Sequence, residues 1–211
     1  MVKNMKTLLS LKPKILFFCL LLSVSTAYAD SSIWKNSYDL EAEKKYNEAA
    51  ELLLPKIQNS IKSEFAVLRY AWLNYLAADY NKAIENYKNA ITYNPNSLDA
   101  RLGIMLPLMA QNRWREATLY GEQVIAIAPW QYYAHIRVMA CEAAQLMWSK
   151  LESHAKLVNE RYPSDPDVLI YLARAQSNLR KTSDALTSYK KVLEILPGNT
   201  EALQFIVNSL N

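Results

Sequence analysis

Pro95, Pro129, Pro163 and Pro197 each stand 34 residues after the one before. Proline restrains the residue ahead of it and cannot continue a backbone ladder, so each marks a stop. Ala49, Ala83, Ala117 and Ala185 fall on the same period, broken only by Leu151. A fixed period of this length restricts the chain to stacked copies of one supersecondary unit. Only three glycines occur (Gly103, Gly121 and Gly198), while alanine, leucine, lysine, glutamate and tyrosine dominate long stretches. That composition suits helices joined by short turns and disfavours hairpins, so the fold class is all-α.

The recurring slots align unevenly with a W-x2-L-G-x2-Y…A-x3-F…P pattern, best at its alanine and proline. The proline slot becomes Ile61 in the first unit, and the aromatic after the alanine is kept as Tyr87 and Tyr189. The leading slot reads Ile33, Val67, Arg101, His135 and Leu169; the tyrosine slot reads Leu40, Asn74, Leu108, Glu142 and Gln176. A further slot, at the turn between paired helices, reads Tyr46, Tyr80, Trp114, Trp148 and Thr182. Over residues 30–211 the chain resembles the tetratricopeptide repeat family. The resemblance implies a right-handed α-solenoid of helix-turn-helix repeats, 30–63, 64–97, 98–131, 132–165 and 166–199, with a C-terminal capping helix over 200–211. Asn199 or Thr200 is expected to cap that last helix.

Two slots vary together. The small slot of the first helix reads Ala71, Met105, Met139 and Ala173, against Tyr87, Gly121, Ala155 and Tyr189 in the second helix. Large meets small in every pair, as constant volume in a close-packed core requires. Pro107 falls inside the first helix of the third repeat and Pro55 inside the second helix of the first, so each is expected to kink its helix. Gly103, four residues before Pro107, is expected to ease that bend.

The opening residues MVKNMKTLLSLKPKILFFCLLLSVSTAYAD carry four lysines, a short apolar run from Ile15 to Val24, and Ala27-Tyr28-Ala29. This reads as a secretory signal peptide, 1–29, cleaved after Ala29. The run is too short for the roughly 20 residues of a membrane-crossing helix. The expected location is the periplasm, with secretion as the alternative and no transmembrane segment in the mature chain. The 24 basic residues exceed the 20 acidic ones only by the four lysines of that segment. Removing it leaves a balanced charge, so nothing in the net charge supports nucleic-acid binding, which needs a basic stripe. Cys141 alone survives cleavage, so no intrachain disulfide is expected.

Catalytic patterns are missing. Three scattered glycines build no phosphate loop, and there is no HExxH, paired-cysteine or GxSxG motif. His135 and His154 lie 19 residues apart without a recognisable partner set and are expected to pack or face solvent, and Cys141 to be a buried small hydrophobe. The carboxylates are expected to be solvated. No enzyme activity, cofactor or metal is expected.

Each first helix carries a second stripe at helical spacing. By the resemblance, that stripe lines a concave groove for a partner segment. The candidates are Trp34 and Tyr38; Phe65, Leu68, Arg69, Trp72 and Tyr75; Leu102, Leu106 and Met109; Tyr133, Ile136 and Arg137; and Ile170, Tyr171 and Arg174. Aromatic and arginine side chains are enriched at binding hot spots. The implied function is a protein-interaction scaffold or adaptor of the bacterial envelope. An accessory role in exopolysaccharide synthesis or export, with glycan on the aromatic residues, is the alternative.

Overall fold

The computed structural model describes residues 31–58 and 63–209; the expected signal peptide lies outside them. Helix α1 covers 31–42 and is followed by α2 (Tyr46–Glu51), α3 (Leu54–Gln58), α4 (Glu64–Leu76), α5 (Tyr80–Tyr93) and α6 (Leu98–Ala110). Then come α7 (Trp114–Ile127), α8 (Tyr132–Ala144), α9 (Trp148–Arg161), α10 (Pro166–Asn178), α11 (Thr182–Ile195) and α12 (Thr200–Ser209). There is no strand among the described residues, and the helices pack consecutively as an α-solenoid.

The period is written into the backbone. Pro95, Pro129, Pro163 and Pro197 each occupy the turn between a second helix and the next first helix. Two residues after each proline a side chain caps that next helix: Ser97 accepts from Ala100 N–H, Gln131 from Ala134, Asp165 from Val168 and Asn199 from Ala202. Ser63 does the same for Ala66 at the start of α4.

The turn inside each repeat is equally regular. Lys44, Ala78, Asn112, Leu146 and Arg180 all have φ between 56° and 62°. The residue after each returns its N–H to a carbonyl five positions back, as in Asp79 to Asn74 and Met147 to Glu142, both 2.9 Å. This is the Schellman closure, in which the left-handed position normally favours glycine. None of the five positions holds one.

First helices pack on the first helices of neighbouring repeats, α4 on α6, α6 on α8 and α8 on α10, whereas successive second helices make no comparable contact. The first helices therefore form the inner, concave layer. Within the repeats, α8 and α9 approach each other less closely along their length than α4 with α5, α6 with α7 or α10 with α11.

The paired slots meet in the core. A β-carbon on Gly121 would lie 2.8 Å from Met105 Cε and 2.4 Å from Val138 Cγ2. Ala71 shares a buried cluster with Tyr87, Met139 with Ala155, and Ala173 with Tyr189. Gly103 has a different role from easing a bend: a β-carbon there would lie 2.2 Å from the Tyr87 ring, so glycine admits the tyrosine. Helix α6 runs through Pro107 unbroken, but the second helix of the first repeat is divided. Pro55 has no N–H to return to Glu51, and α2 gives way to α3 there. Cys141 is fully buried, and burial pushes its thiol up to about 11.

Candidate partner-binding face

The sixteen stripe residues lie on the first helices, but at unequal depths. Tyr38, Phe65 and Tyr133 are exposed, Arg69 and Leu102 are buried, and the others are half-buried. Trp34 packs on Phe65 with ring centroids 4.9 Å apart, and Trp72 on Tyr75 at 5.5 Å. Leu106 and Met109 of α6 and Ile136 of α8 are half-buried apolar residues of the same stripe.

Arg69 joins the first two repeats. It forms an ion pair with Glu41 of α1, and Nη2 donates to Ser37 O at 3.2 Å and to Ser37 Oγ at 3.3 Å. The ring of Tyr38 covers the guanidinium at 3.9 Å. Glu41 also accepts from Trp72 Nε1 at 2.8 Å. Arg69 and Trp72 are thus fixed by one carboxylate of the preceding helix.

Arg174 is held in a comparable way at the other end. It makes a two-pronged pair with Glu201 of α12, at 2.8 and 2.6 Å, while Tyr189 O–H donates to the same carboxylate at 2.8 Å. Glu201 is held below the usual carboxylate range by Arg174 and Tyr189, against burial acting the other way.

Arg137 differs from both. Nη1 donates to Leu102 O at 2.6 Å, and the Tyr133 ring lies 5.8 Å away. No carboxylate pairs with it among the described residues. Burial presses its guanidinium below the ordinary range, with Tyr87, Tyr75 and Tyr133 acting in the opposite direction.

The sequence profile described as tetratricopeptide repeat matches residues 65–97 and 167–199. Those segments span α4 with α5 and α10 with α11, two helix pairs of the stack. Residues 65–97 and 167–199 are tetratricopeptide repeats. No curated protein matches the chain. Among solved structures it is similar to MamA (residues 41 to the end) from Desulfovibrio magneticus RS-1, with 15% identity, a TM-score of 0.71, and 80% of this chain and 95% of that one covered. YrrB, described as a tetratricopeptide protein with an unusual peptide-binding site, gives 15%, 0.68, and 80% and 87% coverage. A thermophilic tetratricopeptide protein of Thermus thermophilus gives 18%, 0.61, and 86% and 99%. Likeness at these identities shows the fold. The tetratricopeptide fold suggests a protein–protein interaction scaffold and is generally non-catalytic. No helix among the described residues is long and apolar enough to cross a membrane.

In tetratricopeptide terms, His135 and Glu142 hold the signature tryptophan and tyrosine slots of the fourth repeat. Both are buried, so Glu142 is not the solvated carboxylate expected from sequence. His135 Nε2 lies 2.8 Å from the Pro129 carbonyl and therefore donates to it. Its Nδ1 accepts from His154 Nε2 at 2.8 Å, and His154 Nδ1 meets Glu142 Oε2 at 3.0 Å. Pro129, His135, His154 and Glu142 thus form one hydrogen-bonded line. Lys150 completes it 3.5 Å from Glu142 Oε1. Glu152 is also buried and takes Lys181 at 2.6 Å and Lys156 at 2.8 Å. The next repeat places Ser188 on Gln176, at 2.8 Å, in the slots of His154 and Glu142. Aligning those slots is the sequence signal that brings the histidines and the acid together. Among the described residues, no cluster suited to a metal ion occurs.

Proposed function

We propose that the mature chain is a non-catalytic adaptor in the bacterial envelope, exported by residues 1–29, that binds a segment of another protein along its first-helix face. The observation that carries this reading is the exposure of large aromatic residues on that face, with Tyr38, Phe65 and Tyr133 at 49%, 51% and 58%. Exposed aromatics on a stripe with half-buried apolar residues are the side chains that anchor protein interfaces. YrrB shows that a similar fold carries a peptide-binding site. Trp72, one of the rings a glycan would use, already donates its Nε1 to Glu41, which favours a protein segment.

Tyr133 and Leu119 of α7 are equally exposed, each at 58%. A photo-crosslinking residue at position 133 is expected to capture a discrete partner in cells, and one at position 119 is not. Equal capture at both positions, or capture only at 119, overturns the groove. Release of the protein by osmotic shock checks the location.

A further inference from the structure

The three stripe arginines form an internal comparison. Arg69 and Arg174 are each closed by a carboxylate from an adjoining first-layer helix, Glu41 and Glu201. Arg137 occupies the same repeat slot as Arg69, two repeats later. The slot that supplies Glu41 to Arg69 holds Met109 in the repeat before Arg137. The slot of Tyr38, which covers Arg69, holds Leu106 there. The chain thus keeps the cation and replaces both its acid and its covering ring with apolar side chains.

A half-buried guanidinium is costly to leave without an anion, because hydration is lost and nothing of opposite charge replaces it. Among the described residues Arg137 has only Leu102 O as a hydrogen-bond acceptor, through Nη1, so Nε and Nη2 remain to donate. A guanidinium presents its N–H groups as a planar fork that matches a carboxylate. Tyr133 flanks the site, and by repeat register the half-buried Leu106 and Met109 hold the positions that Tyr38 and Glu41 hold beside Arg69.

We propose that Arg137 receives the side-chain carboxylate of an aspartate or glutamate in the bound segment, with an adjacent apolar residue on Leu106 and Met109. The partner thereby supplies in trans what Glu41 and Glu201 supply within the chain. This rests on the groove reading above and names the chemistry that selects the segment.

The test is an array of short peptides, amidated at the C-terminus and randomised in sequence, probed with the purified protein. Amidation removes the terminal carboxylate, so selection reports side chains. Retained peptides are expected to carry Asp or Glu at one fixed position beside an apolar residue. Arg137→Gln should weaken their retention about tenfold, the scale of losing one charge-assisted contact at an interface. Arg137→Lys should retain part of it, and Arg137→Glu should select Lys or Arg instead. Met109→Glu places an acid in the Glu41 slot and should silence the acidic preference while the protein stays folded by circular dichroism. Retention that shows no acidic preference but is lost in Phe65→Ser overturns the role of Arg137 and leaves the groove standing. Retention indifferent to both Arg137→Gln and Phe65→Ser, or no retained peptide at all, overturns the groove reading with it.

Discussion

The thioether methyl of Met105 occupies the space that a side chain on residue 121 would need, 2.8 Å from where its β-carbon would stand. Gly121→Ala should therefore overpack the core between α6 and α7 and cost about 1–3 kcal/mol. Combining it with Met105→Ala should cost less than the two single losses added together, because the partners share one volume. Val138 Cγ2 also presses on the site, so the rescue is partial. Chemical denaturation of the four proteins in the cycle gives the coupling directly. Strict additivity would show that the two slots do not share a cavity.

Arg69 is buried and its Nε already lacks a partner, so its charge depends on Glu41. Glu41→Gln should destabilise the junction of α1 with α4 by about 3 kcal/mol, the cost of breaking a buried ion pair from one side. Arg69→Glu would set two carboxylates together and should detach α1. That makes it unsuitable as a binding-only variant, even though its position lies on the stripe. Hydrogen exchange over residues 31–42 should accelerate in both variants. Unchanged protection there would show that α1 is held by apolar contacts alone.

Burial holds the His135 imidazole below its ordinary value of 6.5. Between 6.5 and that lower folded value, the unfolded chain binds a proton that the folded chain refuses, so stability rises with pH. His135 thus contributes fully above 6.5 and progressively less as pH falls. The slope from this one group is limited to about 1.4 kcal/mol per pH unit. His135→Gln keeps an acceptor for His154 and removes the titrating ring, so its melting temperature should fall less on acidification. Identical slopes in the two proteins would remove His135 from the account.

Ala78 has φ 62° on an exposed turn. Ala78→Gly should raise stability by about 1 kcal/mol, since glycine adopts the left-handed region without a steric penalty. Ala78→Val should lower it, because β-branching worsens the same clash. Thermal melts of the two variants should move in opposite directions.

The helices and their closing turns were legible because proline and N-cap chemistry act within three or four residues along the chain. The Schellman turns were not, since Lys44, Ala78, Asn112, Leu146 and Arg180 carry none of the glycine that usually marks them. Gly103 was legible as a special position but not for its reason. Its neighbour is the ring of Tyr87, which reaches it from the previous repeat. The stripe could be drawn on each helix separately, yet the depth of Arg69 could not. That depth depends on Glu41, a neighbour defined by the offset between successive helices and by no spacing within either one. The same offset hides the chain from Pro129 through both histidines to Glu142.

The looser approach of α8 to α9 has a mechanical meaning. A stack in which each element touches only its neighbours is as cooperative as its poorest joint. Apolar packing runs continuously from α4 to α8, and a second cluster joins α8, through Met139, Ile136 and Ala143, to α9 and α10. The pair α8 and α9 is otherwise joined by a line of hydrogen bonds through the two histidines that water can replace. Pulled from its two ends, the superhelix should part into an N-terminal and a C-terminal block at that seam before either block unravels.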